Sequence, residues 1–223
     1  LRRDYLGSAN WPYARLRRDL DARPLPRRAQ RLVSVGEEEL SGVPVLSFTP
    51  REPRHGGALL FFHGGSYIYG SARKTHAELL ASLAVAIGVR VLGPEYRLAP
   101  EHPYPAALED AHAVYPALLD RGLTGRDIVL AGDSAGGNLA LALQLELRDR
   151  GPEQARALAL VSPWLDLTGS SPSCRAHETF DYGRSSFLAV HARDFAQSVP
   201  LDDPRVSVSR ARLEGLAPLL VLV

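Results

Sequence analysis

The chain has 223 residues, 45% hydrophobic and 23% charged, with a formal net charge of +1. That balance suits one globular α/β domain with its own core, and excludes a disordered chain or a protein that binds nucleic acid through a basic field. No apolar run approaches the roughly 20 residues that a membrane helix needs, and a lone cysteine, Cys174, excludes an internal disulfide framework and a Cys-based zinc site.

The basic side is almost all arginine, with Lys74 the sole lysine. The sequence holds no methionine and stops inside an apolar run, so a piece of a longer protein is expected. Nothing at the start resembles a signal peptide, and a cytoplasmic location is expected.

Residues 1–30 are rich in arginine, and Leu16 and Leu20, four apart, predict a short amphipathic helix ending before Pro24-Leu25-Pro26. Strand-like pieces follow at Arg31–Val35, Val43–Thr49 and Ala58–Phe62. After His63 helices and strands alternate. Thr75-His76-Ala77-Glu78 predicts a capping box, the apolar residues from Leu79 to Ile87 a helix, and Gly88 its stop. Val89–Leu92 reads as a strand. A helix should start near Pro105 and run to Gly122, kinked or shortened at Pro116.

Ile128–Gly132 is a short apolar run, as a strand buried on both faces would be. Asn138–Arg150 alternates leucines, but its length, Ala/Leu content and Gly151-Pro152 stop predict a buried helix. Ala157–Ser162 and Leu219–Val223 complete the strands. Alternation of this kind predicts a mostly parallel sheet with helices on both faces and functional loops at the carboxyl ends of the strands. Residues 163–204 interrupt it, with one helical stretch at Ser186–Gln197, and read as an excursion over that edge.

Gly132-Asp133-Ser134-Ala135-Gly136 matches Gly-x-Ser-x-Gly. The match is weak alone and stronger here, because it directly follows a predicted buried strand and opens a predicted helix. In such an elbow the serine sits in a strained turn, so Gly132 and Gly136 must lack Cβ. His63-Gly64-Gly65-Ser66 follows another strand, and its consecutive glycines let backbone N–H groups point into a cavity. No Gly-Lys-Ser/Thr or Gly-x-Gly-x-x-Gly pattern favours phosphate there. His63 leads the loop and is read as structural. Asp133 is expected to cap the helix after it, Arg97 to pair with a carboxylate, and Glu101 and His102 to brace a Pro-rich turn. Trp164, Phe187 and Phe195 read as core or cap packing, with an acyl pocket lining as the alternative.

Together, His63-Gly-Gly-Ser66, the run Tyr96–Asp110, Gly132-Asp-Ser-Ala-Gly-Gly-Asn138, Ser162-Pro-Trp-Leu-Asp-Leu-Thr168 and Asp203-Pro-Arg-Val-Ser207 resemble the hormone-sensitive-lipase-like esterases of the α/β-hydrolase superfamily. The resemblance implies an α/β-hydrolase fold made of an N-terminal cap segment (1–30), a core (31–162), a cap insertion (163–204) and a return to the core (205–223). It implies Ser134 as nucleophile, with Gly65, Ser66 and Ala135 giving oxyanion N–H groups and Gly64 shaping that loop. It implies hydrolysis of short- to medium-chain acyl esters with no metal or organic cofactor. The partner is then a small-molecule ester, and a homo-oligomer stays open.

Ser66 departs from the third glycine usual in the family. The family's acidic and histidine triad members fall beyond the strand that Leu219–Val223 matches. His177 and His191, with Asp166, Asp181 and Asp194, make no recognisable triad, so no histidine of this chain is expected within reach of Ser134 Oγ. A ligand-binding receptor on the same fold, as in the plant gibberellin receptors, and an amidase or peptidase stand as alternatives.

Overall fold

The computed structural model describes residues 13–22, 24–151, 153–176 and 185–223. Two short helices, α1 (Tyr13–Asp21) and α2 (Arg27–Leu32), precede the strands β1 (Val33–Leu40), β2 (Val43–Pro50) and β3 (Ala58–Phe62). Then come α3 (Ala77–Ile87), β4 (Arg90–Pro94), α4 (Ala106–Asp120), β5 (Ile128–Asp133), α5 (Ala135–Arg150) and β6 (Ala157–Val161). The chain closes with α6 (Pro172–Ala176), α7 (Ser185–Ala196) and β7 (Leu219–Leu222).

The strands form one seven-stranded sheet in the order β1-β2-β4-β3-β5-β6-β7. The first two pairings, β1 with β2 and β2 with β4, are antiparallel, and the rest are parallel. Strand alternation sorts the core into two layers. Ala58, Leu60 and Phe62 of β3 and Ile128 and Leu130 of β5 pack in the layer shared with α4 and α5. Leu59, Phe61 and Ala131 point the other way, against α3 and Ala29 of α2. Central strands buried on both faces therefore read as unbroken apolar runs.

Register places the loops that matter. Phe62 pairs with Gly132 across β3 and β5, and Asp133 with Val161 across β5 and β6. The loop after β3 and the turn after β5 thus leave the same sheet edge side by side, at the carboxyl ends.

Local differences from the sequence reading have physical causes. The Thr75–Glu78 capping box does not form: α3 starts at Ala77 with His76 at its cap, and the Thr75 hydroxyl donates to Ser71 O (2.8 Å) and accepts from Ser71 N–H (2.9 Å). A closed local turn has taken the cap's hydrogen bonds. Gly88 does end α3, left-handed at φ 70°. Pro116 sits within α4 without ending it, because Val114, Tyr115 and Leu118 around it are buried against the sheet. β1 runs on to Leu40 through Glu37, Glu38 and Glu39, whose charges on the sheet's outer edge discourage pairing with another chain. Arg31 belongs to α2 rather than to the first strand.

Among the described residues, no helix is long and apolar enough to cross a membrane. At the far edge, Leu219, Leu220, Val221 and Leu222 of β7 are all exposed.

Candidate active site

Ser134 stands between β5 and α5 with φ 51° and ψ −119°. A non-glycine residue there costs of order 1–3 kcal/mol and persists only where its surroundings hold it. Ser134 N–H donates to Val161 O (3.0 Å), and Ser134 O accepts from Gly137 N–H (3.1 Å) and Trp164 N–H (2.9 Å). The two glycines make the turn sterically possible. A Cβ on Gly132 would lie 2.3 Å from Gly136 O, and one on Gly136 would lie 2.0 Å from Phe62 O. The helix begins at Ala135, three residues earlier than the leucine pattern shows.

Beside it, the loop after β3 turns sharply. Gly65 (φ 131°), Ser66 (φ 56°) and Tyr67 (φ 62°) all have positive φ. Ser66 therefore holds a left-handed conformation that glycine adopts without strain. Gly65 O accepts from Ile68 N–H (2.9 Å) and Tyr69 N–H (3.0 Å), closing the loop on itself. Among the described residues, the N–H groups of Gly65, Ser66 and Ala135 have no intramolecular acceptor. Gly64 differs from them, since its N–H donates to Asp133 Oδ1 (2.8 Å).

His63 is buried, stacked on Tyr96 with ring centroids 4.3 Å apart, and its Nδ1 lies 2.9 Å from Gly64 O. Burial, helped by the neighbouring His76, pushes its pKa down to about 4, so it is neutral at pH 7. The ring packs against the loop through these contacts. Tyr96 supports it further by donating to His63 O (2.6 Å).

Asp133 is not a helix cap, contrary to the sequence reading. Its carboxylate turns away from α5 and binds Gly64 N–H together with His76 Nε2 (3.0 Å). Burial opposes its charge, but the His76 contact and the Gly64 N–H outweigh that and keep its carboxyl below the usual range. His76 received no role from the sequence. Its signal is spatial, since a distance of 57 residues along the chain separates it from Asp133.

Asn138, which closes the Gly132–Asn138 motif, forms a buried knot. Tyr67 Oη donates to its Oδ1 (2.9 Å), while its Nδ2 donates to Trp164 O (2.9 Å) and Val206 O (2.9 Å). Phe195 of α7 stacks on Tyr67 with centroids 3.7 Å apart. Phe187 meets His191 edge-on at 3.9 Å. Trp164 is half-buried against the main core layer.

Arg97 pairs with Asp110 and Glu109, as expected. Glu101 reaches Arg17 of α1 (2.7 Å) instead of bracing its own turn. Arg17 also donates to Ile68 O (2.6 Å), which ties α1 to the loop that carries Gly65. Tyr13 Oη donates to Asp194 Oδ2 (2.5 Å), which ties α1 to α7.

His191 is buried between Tyr13, Tyr69 and Phe187, and burial pushes its pKa down to about 4. No hydrogen bond joins Ser134 Oγ to a histidine among the described residues. His177 and Asp181 lie outside them. Asp166 is occupied by Thr168 and Arg210. Among the described residues no group of three His, Cys, Asp or Glu could hold a metal ion, and Cys174 is free and exposed.

Comparison with known proteins settles the lineage. The family described as the alpha/beta hydrolase fold matches residues 59–223. A solved esterase of the bacterial hormone-sensitive lipase family superimposes with a TM-score of 0.88 at 34% identity, covering 96% of this chain and 72% of that one. The chain belongs to the hormone-sensitive-lipase-like esterases of the α/β-hydrolase fold.

EstE5, in crystals soaked with p-nitrophenyl butyrate, gives a TM-score of 0.89 at 31% identity, covering 96% of this chain and 72% of its own. An esterase of Acinetobacter venetianus is 39% identical over 171 residues, 74% of this chain and 55% of its own length. An acetyl-hydrolase of Streptomyces hygroscopicus is 40% identical over 170 residues, 75% of this chain and 56% of its own. The chain thus spans about half the length of these two curated relatives.

Proposed function

We propose that the protein hydrolyses carboxylic esters of short- to medium-chain acids through an acyl-enzyme on Ser134. The observation that carries this reading is the strained Ser134 elbow beside a loop whose Gly65 and Ser66 N–H groups are unpaired, like that of Ala135. Ser134 Oγ attacks the ester carbonyl, and the carbonyl oxygen becomes an oxyanion. Backbone N–H groups of Gly65, Ser66 and Ala135 stabilise that charge, assisted by the N-terminal end of α5. The alcohol leaves with a proton, and water then attacks the acyl-enzyme to release the acid.

In this reading Gly64 shapes the loop instead of donating to the oxyanion, because Asp133 already holds its N–H. The described parts of the cap segments, residues 13–22, 24–30, 163–176 and 185–204, cover the acyl site in this reading, and the α1–α7 and α1–loop ties support it. In this reading a histidine and a carboxylate activate Ser134, as the family resemblance implies.

The test uses the whole encoded protein with p-nitrophenyl esters from acetate to decanoate and a serine-directed organophosphonate. Hydrolysis should favour the shorter chains, and one label per chain should appear on Ser134. Ser134→Ala should lose both. A labelled residue other than Ser134, or turnover unchanged in Ser134→Ala, would refute the assignment. Ligand binding without any turnover by the whole protein would favour the receptor reading.

A further inference from the structure

The two halves of the site lie on separate strands and must keep their spacing to a few tenths of an ångström for oxyanion stabilisation to work. Asp133 links them. It is the last residue of β5, next to Ser134, and its Oδ1 accepts Gly64 N–H from the loop after β3 at 2.8 Å. A Cβ on Gly64 would lie 2.2 Å from Asp133 Oδ2, so the carboxylate rests directly against the loop backbone.

A carboxylate held by one N–H can still swing about its side-chain torsions. The same Oδ1 takes a second bond, from His76 Nε2 at 3.0 Å. His76 is itself held from behind. Its Nδ1 lies 2.7 Å from Thr75 Oγ1, and Thr75 Oγ1 is locked to Ser71 by two bonds. The imidazole side chain is only 13% exposed. Charge gives a second reason for the pair. An uncompensated carboxylate beside the nucleophile would oppose an oxyanion forming nearby, and a hydrogen-bond donor on its oxygen offsets that field.

We propose that His76 is a positioning residue for ester hydrolysis: through Asp133 it fixes Gly64, and so the two following N–H groups that face the reacting oxygen. This inference rests on the function proposed above. His76 touches no reacting atom, and its effect should appear in the chemical step and in the order of the loop.

The experiment compares the whole protein with His76→Ala, His76→Gln, Asp133→Asn and the His76→Ala/Asp133→Asn double variant. His76→Ala should lower kcat about tenfold with KM changed less than about twofold, the signature of a loss confined to the transition state. His76→Gln, whose amide N–H can still reach Asp133, should recover most of that loss. In the Asp133→Asn background, His76→Ala should cost less than about twofold more, since coupled residues are non-additive.

Independently of turnover, exchange of the hydrogen-bonded amides of Gly64, Ile68 and Tyr69 should quicken about tenfold in His76→Ala, reporting local opening of the loop. Unchanged kcat in an active His76→Ala enzyme, no recovery by glutamine, or the full loss persisting in the Asp133→Asn background would overturn the inference. If the parent hydrolyses no ester but the exchange result holds, the proposed function falls and the positioning of the loop stands.

Discussion

Replacing Asn138 by alanine tests whether the buried knot holds the site together. The side chain is 2% exposed and makes three hydrogen bonds, to Tyr67 Oη, Trp164 O and Val206 O. Those partners come from the loop after β3, the turn after β6 and the segment before the last strand. Truncation leaves one buried hydroxyl and two carbonyls without a partner. Each orphaned group costs roughly 1–3 kcal/mol, and with water entering the small space the sum is about 3–5 kcal/mol. For a domain of this size, that corresponds to a fall in Tm of about 10 °C.

Thermal unfolding followed by circular dichroism measures it directly. Tyr67→Phe, which removes a single bond of the three, should cost only about 1 kcal/mol. Asn138→Asp should be at least as harmful as alanine at neutral pH, because an acceptor then faces two carbonyl oxygens. A fall in Tm below about 2 °C for Asn138→Ala would show that water or neighbouring groups satisfy the orphans, and the cross-tie would be refuted.

Gly136→Ala should abolish the elbow, with a loss above about 3 kcal/mol seen as insoluble or unfolded protein, since its Cβ would meet backbone oxygens of Phe62 and His63 at 2.0 and 2.6 Å. Acid should destabilise the fold through His63 and His191, both lowered to about 4. The unfolded state binds the proton first, so stability is full above about pH 7 and falls between about pH 6.5 and 4, by up to about 1.4 kcal/mol per pH unit for each histidine. His191→Leu should flatten that profile in Tm measurements from pH 7 to 4.5, and an unchanged slope would contradict it. Arg17→Ala removes the donors to Ile68 O and Glu101, and limited proteolysis should then cut residues 13–26 about tenfold faster.

The elements that the sequence by itself determined are those governed by neighbours along the chain. Apolar runs of strand length at Ala58–Phe62 and Ile128–Gly132, a glycine after Ile87, and a small-residue turn around Ser134 each carry their cause within a few residues. That local logic reached the α/β architecture, the elbow and the loop beside it. The capping box at Thr75 and the capping role of Asp133 were also local inferences, and they failed because a distant or competing partner offered a better bond. Only the tertiary structure decided that Asp133 joins Gly64 to His76, that Asn138 gathers three separate segments, and that Glu101 reaches α1. The physical reason is that a polar side chain goes where burial leaves an unsatisfied group of matching chemistry. The sheet register, which pairs Phe62 with Gly132, sets which groups those are.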